Sequence, residues 1–221
     1  SIGRLAGGIA HDFNNMLAAI IGSAEMPRIH FTDNADIKEN MDIILKASEK
    51  AADMTHKLLA FSRKEEIKKE ILDVHMCIEN TCGILQRSID RKVEIRVSLD
   101  AKKHYVMGDS TMIENAILNL GINARDAMGD CGILEITTGD VVIDYQTEVP
   151  PDFIVTPGDF IEVSISDTGP GIPKRIKDKI FEPYFSTKGK GRGTGLGLPM
   201  VYGTVKQHNG MMRLVSEEGK G

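Results

Sequence analysis

Two helical patterns open the chain. Ile2, Leu5, Ile9, Phe13, Met16, Leu17, Ile20 and Ala24 recur at three- and four-residue spacing, the period of an amphipathic helix. Pro27 kinks or ends that helix, and "FTDNAD" reads as a turn with Asp33, Asn34 and Asp36 as caps. A second helix is predicted from about Ile37 to Ser62, with Met41, Ile44, Ala47, Ala51, Met54, Leu58 and Phe61 on one face. Two helices joined by a short loop make a hairpin, which cannot enclose a core alone. Pairing with a second copy gives a four-helix bundle, so a homodimer is expected.

From about Lys68 the period shortens. "VEIRVSL" (93–99), "ILEITTGDVVID" (133–144) and "FIEVSISD" (160–167) alternate apolar and polar residues, as half-buried strands do. Helical patterns cover 73–89, 110–128 and about 196–209. Strands mixed with helices predict a sandwich with helices on one face of a sheet. The charged run "RKEEIKKE" (63–70) joins the halves and also fits a solvated helix end. The predicted organisation is α+β: an antiparallel helical hairpin over 1–66, a linker at 67–71 and an α/β sandwich over 72–221. The stretch "YQTEVPPDFIVTPG" (145–158) stands between strands without an assigned role.

Composition narrows the function classes. A net charge of -5 argues against a nucleic-acid binder, which usually carries a basic excess. No apolar run approaches the roughly 20 residues of a membrane span, and no signal peptide opens the chain. Cys77, Cys82 and Cys131 show no CxxC spacing, which implies a reducing compartment and no zinc site. A cytoplasmic piece is expected; membrane anchoring of a full-length protein is a separate matter, because the first residues already read as helix.

Four segments of the second half hold chemistry. In "ENAILNLGINARDAM" (114–128), Asn119 and Asn123 share one helix face. Two poor helix formers at this spacing offer amide oxygens together, as a hard cation such as Mg²⁺ requires, although solvated asparagines are the ordinary alternative. "DTGPGIP" (167–173) follows a strand, so Asp167 can accept hydrogen bonds at the strand end beside glycines that admit a flat ligand; a plain turn fits as well. "FEPYFSTK" (181–188) gathers aromatics around a proline and ends on Lys188. "GKGRGTGLGL" (189–198) runs into a helix, where free N–H groups and the helix dipole cradle anions. A Rossmann turn is excluded by its late position after a polar loop, and a P-loop by the absence of GxxxxGK[ST].

The order of these four resembles the Bergerat-type ATP-binding fold shared by histidine kinases, gyrase and MutL. The histidine-kinase version matches best, with "NLGINARDAM" similar to its N box, "DTGPGI" to its first glycine box, "FEPYFSTK" to its F box and "GTGLGL" to its second glycine box. The resemblance implies ATP and Mg²⁺ as ligands. Asn123 would coordinate Mg²⁺ with Asn119 beside it, and Asp167 would bind the adenine amine, with Gly169 and Gly171 against the base. Residues 181–195 would form a lid in which Lys188 and Arg192 meet the phosphates, with Arg125 as a further contact. The backbone of Gly193, Thr194, Gly195, Leu196 and Gly197 would cap them.

The same resemblance identifies "HDFNN" as an H box, with His11 as phospho-acceptor of a dimerisation and phosphotransfer domain. At about 100° per residue, His11 falls opposite the stripe centred on Phe13 and Ile20, with Asn15 one turn along, so His11 is predicted to be exposed. Gly7, Gly8, Ala18 and Gly22 flank it and fit either room for a docking domain or close dimer packing. Asp12 would orient His11 or take its proton, and Asn15 would position water for a phosphatase activity. The implied function is ATP-dependent autophosphorylation of His11 and transfer to an aspartate of a response-regulator receiver domain. A gyrase- or MutL-like ATPase would carry glutamate where Asn119 stands; a non-catalytic docking module would not need the nucleotide motifs. The sequence ends at "EEGKG", where the family continues into a last strand, so a missing edge strand is expected.

Overall fold

A computed structural model of the chain describes residues 69–88, 93–129, 131–188 and 194–221, and the positions 16, 17, 19–21, 23, 24, 27, 36, 37, 39–45, 47, 48 and 51. The chain divides into two compact units, Ser1–Glu65 and Glu66–Gly221.

Every described position of the first unit is helical. Leu17, Ala24, Leu45 and Ser48 are buried, while Met16, Ile20, Ile43 and Ile44 stay exposed. Among the described residues the single chain thus covers only part of the predicted stripes. In the second stripe the covered pair, Leu45 and Ser48, sits one residue on from the expected Ile44 and Ala47, both of which are exposed. His11, Asp12, Asn15 and the flanking Gly7, Gly8, Ala18 and Gly22 lie outside the described residues.

The second unit runs β1 (Glu70–Asp73), α1 (Val74–Ser88), β2 (Val93–Leu99), β3 (Tyr105–Gly108), α2 (Ser110–Met128), β4 (Gly132–Ile143), β5 (Gly158–Asp167), a 3₁₀ turn (Lys174–Ile176) and α3 (Gly197–Gln207). A three-stranded sheet orders β2-β4-β5, with β2 parallel and β5 antiparallel to β4. A separate ribbon pairs β1 with β3 antiparallel, placing Leu72 opposite Val106. These two strands escape the sequence reading because four residues are too few to establish a two-residue alternation.

Alternation on β4 turns Leu134, Ile136 and Thr138 inward. Leu134 and Ile136 meet Cys77, Ile78, Cys82 and Leu85 of α1 and Ile117 and Ala124 of α2, so both helices cover one face of the sheet. The two helices approach closely at Gly121, where an added methyl would lie 2.6 Å from Leu85 Cδ1. Asp109 starts α2 by accepting the Met112 N–H at 3.1 Å, as an N-cap does. Its own N–H donates to His208 Nε2 at 3.0 Å, and His208 Nδ1–H donates to the Thr204 carbonyl at 2.8 Å. The end of α3 is thereby tied to the start of α2.

The 145–158 stretch has a packing role. Its Phe153 is buried, with its ring 4.9 Å from that of Tyr202 on α3. Phe181, which begins the lid segment, lies 5.9 Å from the same tyrosine, and the Lys206 ammonium sits over both the Phe153 and Tyr202 rings.

Candidate functional site

Helix α2 is the floor on which the predicted segments converge. Asn119 and Asn123 both face Gly197, the first residue of α3: a methyl built there would stand 3.3 Å from Asn119 Oδ1 and 3.5 Å from Asn123 Nδ2. Asn119 Nδ2 donates to the Asn115 carbonyl at 2.9 Å. A carbonyl only accepts, so the amide orientation is fixed and Oδ1 is the atom turned toward α3. Among the described residues no side chain caps the start of α3, so its first-turn N–H groups can serve an outside acceptor. Glycine at 197 keeps this junction open, since any side chain would fill the space between the asparagines and the helix start.

The segment expected to form a lid is joined to the same helix at Lys188. Lys188 Nζ lies 2.5 Å from Asp126 Oδ2, and Arg125 reaches Asp126 Oδ1 at 2.9 Å from Nε and 2.7 Å from the terminal nitrogen. Burial pushes the Asp126 carboxyl up, but hydrogen bonds from Lys188 and Arg125 outweigh it and hold its pKa below the ordinary aspartate value. Sequence reasoning picked out Lys188 and Arg125 as phosphate contacts and missed the carboxylate that binds both. The signal was present: Asp126 lies three residues past Asn123, on the same stripe of the helix.

Farther along, Gly195 has φ +65° and lies flat against the backbone of Tyr184 and Phe185, with the Tyr184 N–H donating to its carbonyl at 3.0 Å. A side chain at 195 would collide with that backbone as well as strain its own. Leu196 is buried beneath the junction and Thr194 precedes it. Arg192 and Gly193 lie outside the described residues.

Asp167 closes β5 and accepts the Gly169 N–H on Oδ1 at 2.8 Å. The loop lies on the last turn of α2, since a methyl at Gly169 would be 3.3 Å from Ala127 Cβ. Gly171 sits against the carbonyl of Glu217, and the Ile172 N–H donates to Ser216 Oγ at 2.8 Å. So α2 touches the first glycine segment at Ala127, the lid lysine at Asp126 and the second glycine segment at Asn119 and Asn123. The set suits a polyphosphate with a hard cation: the Asn119 amide oxygen with the Asn123 amide beside it, helix N–H groups and a lysine.

A family model described as "Histidine kinase-, DNA gyrase B-, and HSP90-like ATPase" matches residues 108–221. The chain belongs to this family. The "His Kinase A (phospho-acceptor) domain" model matches residues 1–67 ahead of it, so the pair makes a histidine kinase catalytic core. Sensor kinase CckA of Brucella abortus (strain 2308) is 36% identical over all of this chain, which spans 23% of that protein's length. A crystal structure of full-length ShkA in complex with AMPPNP superposes on 90% of this histidine kinase core at 18% identity with a TM-score of 0.70, and 40% of that chain is covered. The complex of histidine kinase ThkA with response regulator protein TrrA matches 95% of the core and 56% of that chain at 24% identity and a TM-score of 0.56. These two likenesses carry the fold. Among the described residues no helix is long and apolar enough to cross a membrane.

Proposed function

We propose that this core binds ATP on α2, phosphorylates His11 and passes the phosphoryl group to an aspartate of a response-regulator receiver domain. The observation that carries the reading is the junction of Asn119 and Asn123 with the uncapped start of α3 at Gly197. Asn123, with Asn119 beside it, holds Mg²⁺, which when bound neutralises charge between the phosphates. The N–H groups from Gly193 to Gly197 receive the phosphate oxygens, and Lys188 and Arg192 approach from the lid, with Arg125 in reserve. Asp167 receives the adenine amine while Gly169 and Gly171 let the base lie against the backbone.

Within the phospho-acceptor domain, neutral imidazole of His11 attacks the γ-phosphorus. A nitrogen–phosphorus bond forms as the bond to ADP breaks, through a loose transition state. Asp12 orients the ring or takes its proton, and Asn15 places a water against the phospho-aspartate of the regulator, whose hydrolysis releases inorganic phosphate and restores the carboxylate. The match of residues 1–67 to the phospho-acceptor model supports His11 in this role. The exposed Met16, Ile20, Ile43 and Ile44 support a homodimer through the hairpin, since a second copy would cover them in a four-helix bundle. The relatives' greater length supports a separate sensor domain outside this stretch, and the reading is of a cytoplasmic core whose partner is a receiver domain and not a nucleic acid. Incubation with Mg²⁺ and γ-labelled ATP should leave an acid-labile, alkali-stable label that His11→Ala lacks; equal labelling of both proteins would refute the assignment.

A further inference from the structure

A second cluster of metal-binding side chains lies away from the nucleotide junction. Strand pairing builds it: Asp73 ends β1 opposite Tyr105 at the start of β3, so His104 arrives beside Asp73, and His75 follows in the first turn of α1. One ligand atom from each of Asp73, His75 and His104 falls within 4.8 Å of the others. The two imidazole rings are 4.3 Å apart between centroids. All three side chains are half-buried, so a small solute reaches them while the backbone around them is fixed.

Hydrogen bonds orient each of the three side chains. His104 Nδ1 lies 3.4 Å from the Ala101 carbonyl, which only accepts, so the ring proton sits on Nδ1. In the neutral ring Nε2 then presents a lone pair, and it faces Asp73 Oδ2 at 3.8 Å, beyond hydrogen-bond reach. Nε2 and Oδ2 thus point toward one another, each able to serve as a metal ligand. Asp73 cannot turn away cheaply, because its Oδ1 accepts the His75 N–H at 2.9 Å and orients the carboxylate. His75 is oriented in turn by the buried Thr138 hydroxyl, 3.0 Å from its Nε2, and Thr138 also accepts the Ala101 N–H at 3.2 Å.

We infer that Asp73, His75 and His104 form a site for a divalent transition metal of the zinc type. Two imidazole nitrogens and one carboxylate oxygen are the ligands such ions take, with water completing the shell. Metal–ligand bonds of about 2.0–2.1 Å put neighbouring ligand atoms about 3.3 Å apart in a tetrahedral shell. Closing the cluster from 4.8 Å therefore needs side-chain rotations of about 1.5 Å or less and no backbone movement. The Ala101 carbonyl on His104 and the His75 N–H on Asp73 already act as the outer contacts that fix ligand orientation at metal sites. Nitrogen donors distinguish this site from the Mg²⁺ site on α2, because Mg²⁺ selects oxygen. Thr138, which faces the cluster, is four residues along β4 from Leu134, the partner of Asp167, or about 13 Å. The sequence predicts no zinc site, but that expectation rests on cysteine spacing alone, and the third ligand of this cluster comes from 29 residues beyond His75.

Calorimetric titration of the metal-free 221-residue chain with Zn²⁺, without nucleotide, tests the site. One equivalent should bind the wild type, with affinity lowered at least about a hundredfold in His104→Gln and in Asp73→Asn, the latter keeping an oxygen for the helix cap. Excess Mg²⁺ should not compete. A second measurement covers the case in which a variant does not fold: in imidazole NMR spectra of the wild type, Zn²⁺ should shift the His75 and His104 rings and leave His208, held between α2 and α3, unmoved. Absence of zinc binding by the wild type would overturn the inference. So would unchanged affinity in folded variants, or ring shifts confined to other histidines.

Discussion

One helix presents two opposite faces with the same spacing. Ile117, Gly121 and Ala124 of α2 are buried against α1 and the sheet. Asn119, Asn123 and Asp126 stand two residues further on, about 200° around the axis, and face the start of α3 and the lid lysine. The first face is apolar and small because helix α1 comes within contact of it. The second is polar although asparagine and aspartate are poor helix formers, so its residues are not explained by the stability of the helix. The difference teaches that stability and chemistry are assigned to separate faces of one element and should be separable by substitution.

The sharpest separation is Asn123→Ala. Phosphorylation should fall by more than about a hundredfold, the size associated with losing a charge-stabilising group. The thermal midpoint should hold or rise slightly, because alanine is the better helix former. A parallel loss of stability would break the comparison. The converse is Gly121→Leu, which drives a side chain into Leu85. Overpacking of this kind costs about 1–3 kcal/mol, read as a lower urea midpoint, with nucleotide affinity unchanged in the protein that remains folded.

Smaller effects belong to the lid. Gly195→Ala adds a Cβ at φ +65° against the Tyr184–Phe185 backbone, and about 1–2 kcal/mol of strain should appear as several-fold weaker nucleotide binding by titration. Asp126→Asn frees Lys188 and Arg125 from their shared carboxylate and should tighten nucleotide binding several-fold. Because the folded carboxyl is held below its ordinary value, the ion pairs are complete above the usual aspartate range. They are lost only as pH falls through the depressed value, so this effect should be flat between neutral pH and about pH 5. Least visible is the core face itself. Burial, with Glu114 and then Asp73 adding to it, pushes the Cys77 thiol up to about 11, while Cys131 is exposed. A thiol reagent at pH 8 should modify Cys131 promptly, and Cys77 and Cys82 only on unfolding.

How far the sequence spoke follows from the length and continuity of each signal. Helices α1, α2 and α3 and strands β2, β4 and β5 were legible because each sustains its period over at least seven residues. Strands β1 and β3 were not, being four residues each and defined by their mutual pairing. Asn119, Asn123, Lys188 and the glycines were picked out by residue type and order. Asp126 shares the helix stripe of the two asparagines but was not picked out, since only the fold brings Lys188 to it across 62 residues. The cluster of Asp73, His75 and His104 likewise exists only once β1 pairs with β3. What 145–158 does was unreadable because Phe153 meets its partner Tyr202 through tertiary packing alone.

The account is tested most directly by following the side-chain amides of Asn119 and Asn123 and the backbone amides of Gly197 and Leu198 by NMR during titration with Mg²⁺ and a non-hydrolysable ATP analogue. The expected result is that all four move together and saturate at one ligand per chain. Binding that saturates while the two asparagine amides stay in place would contradict it, for the nucleotide would then lie somewhere other than the polar face of α2.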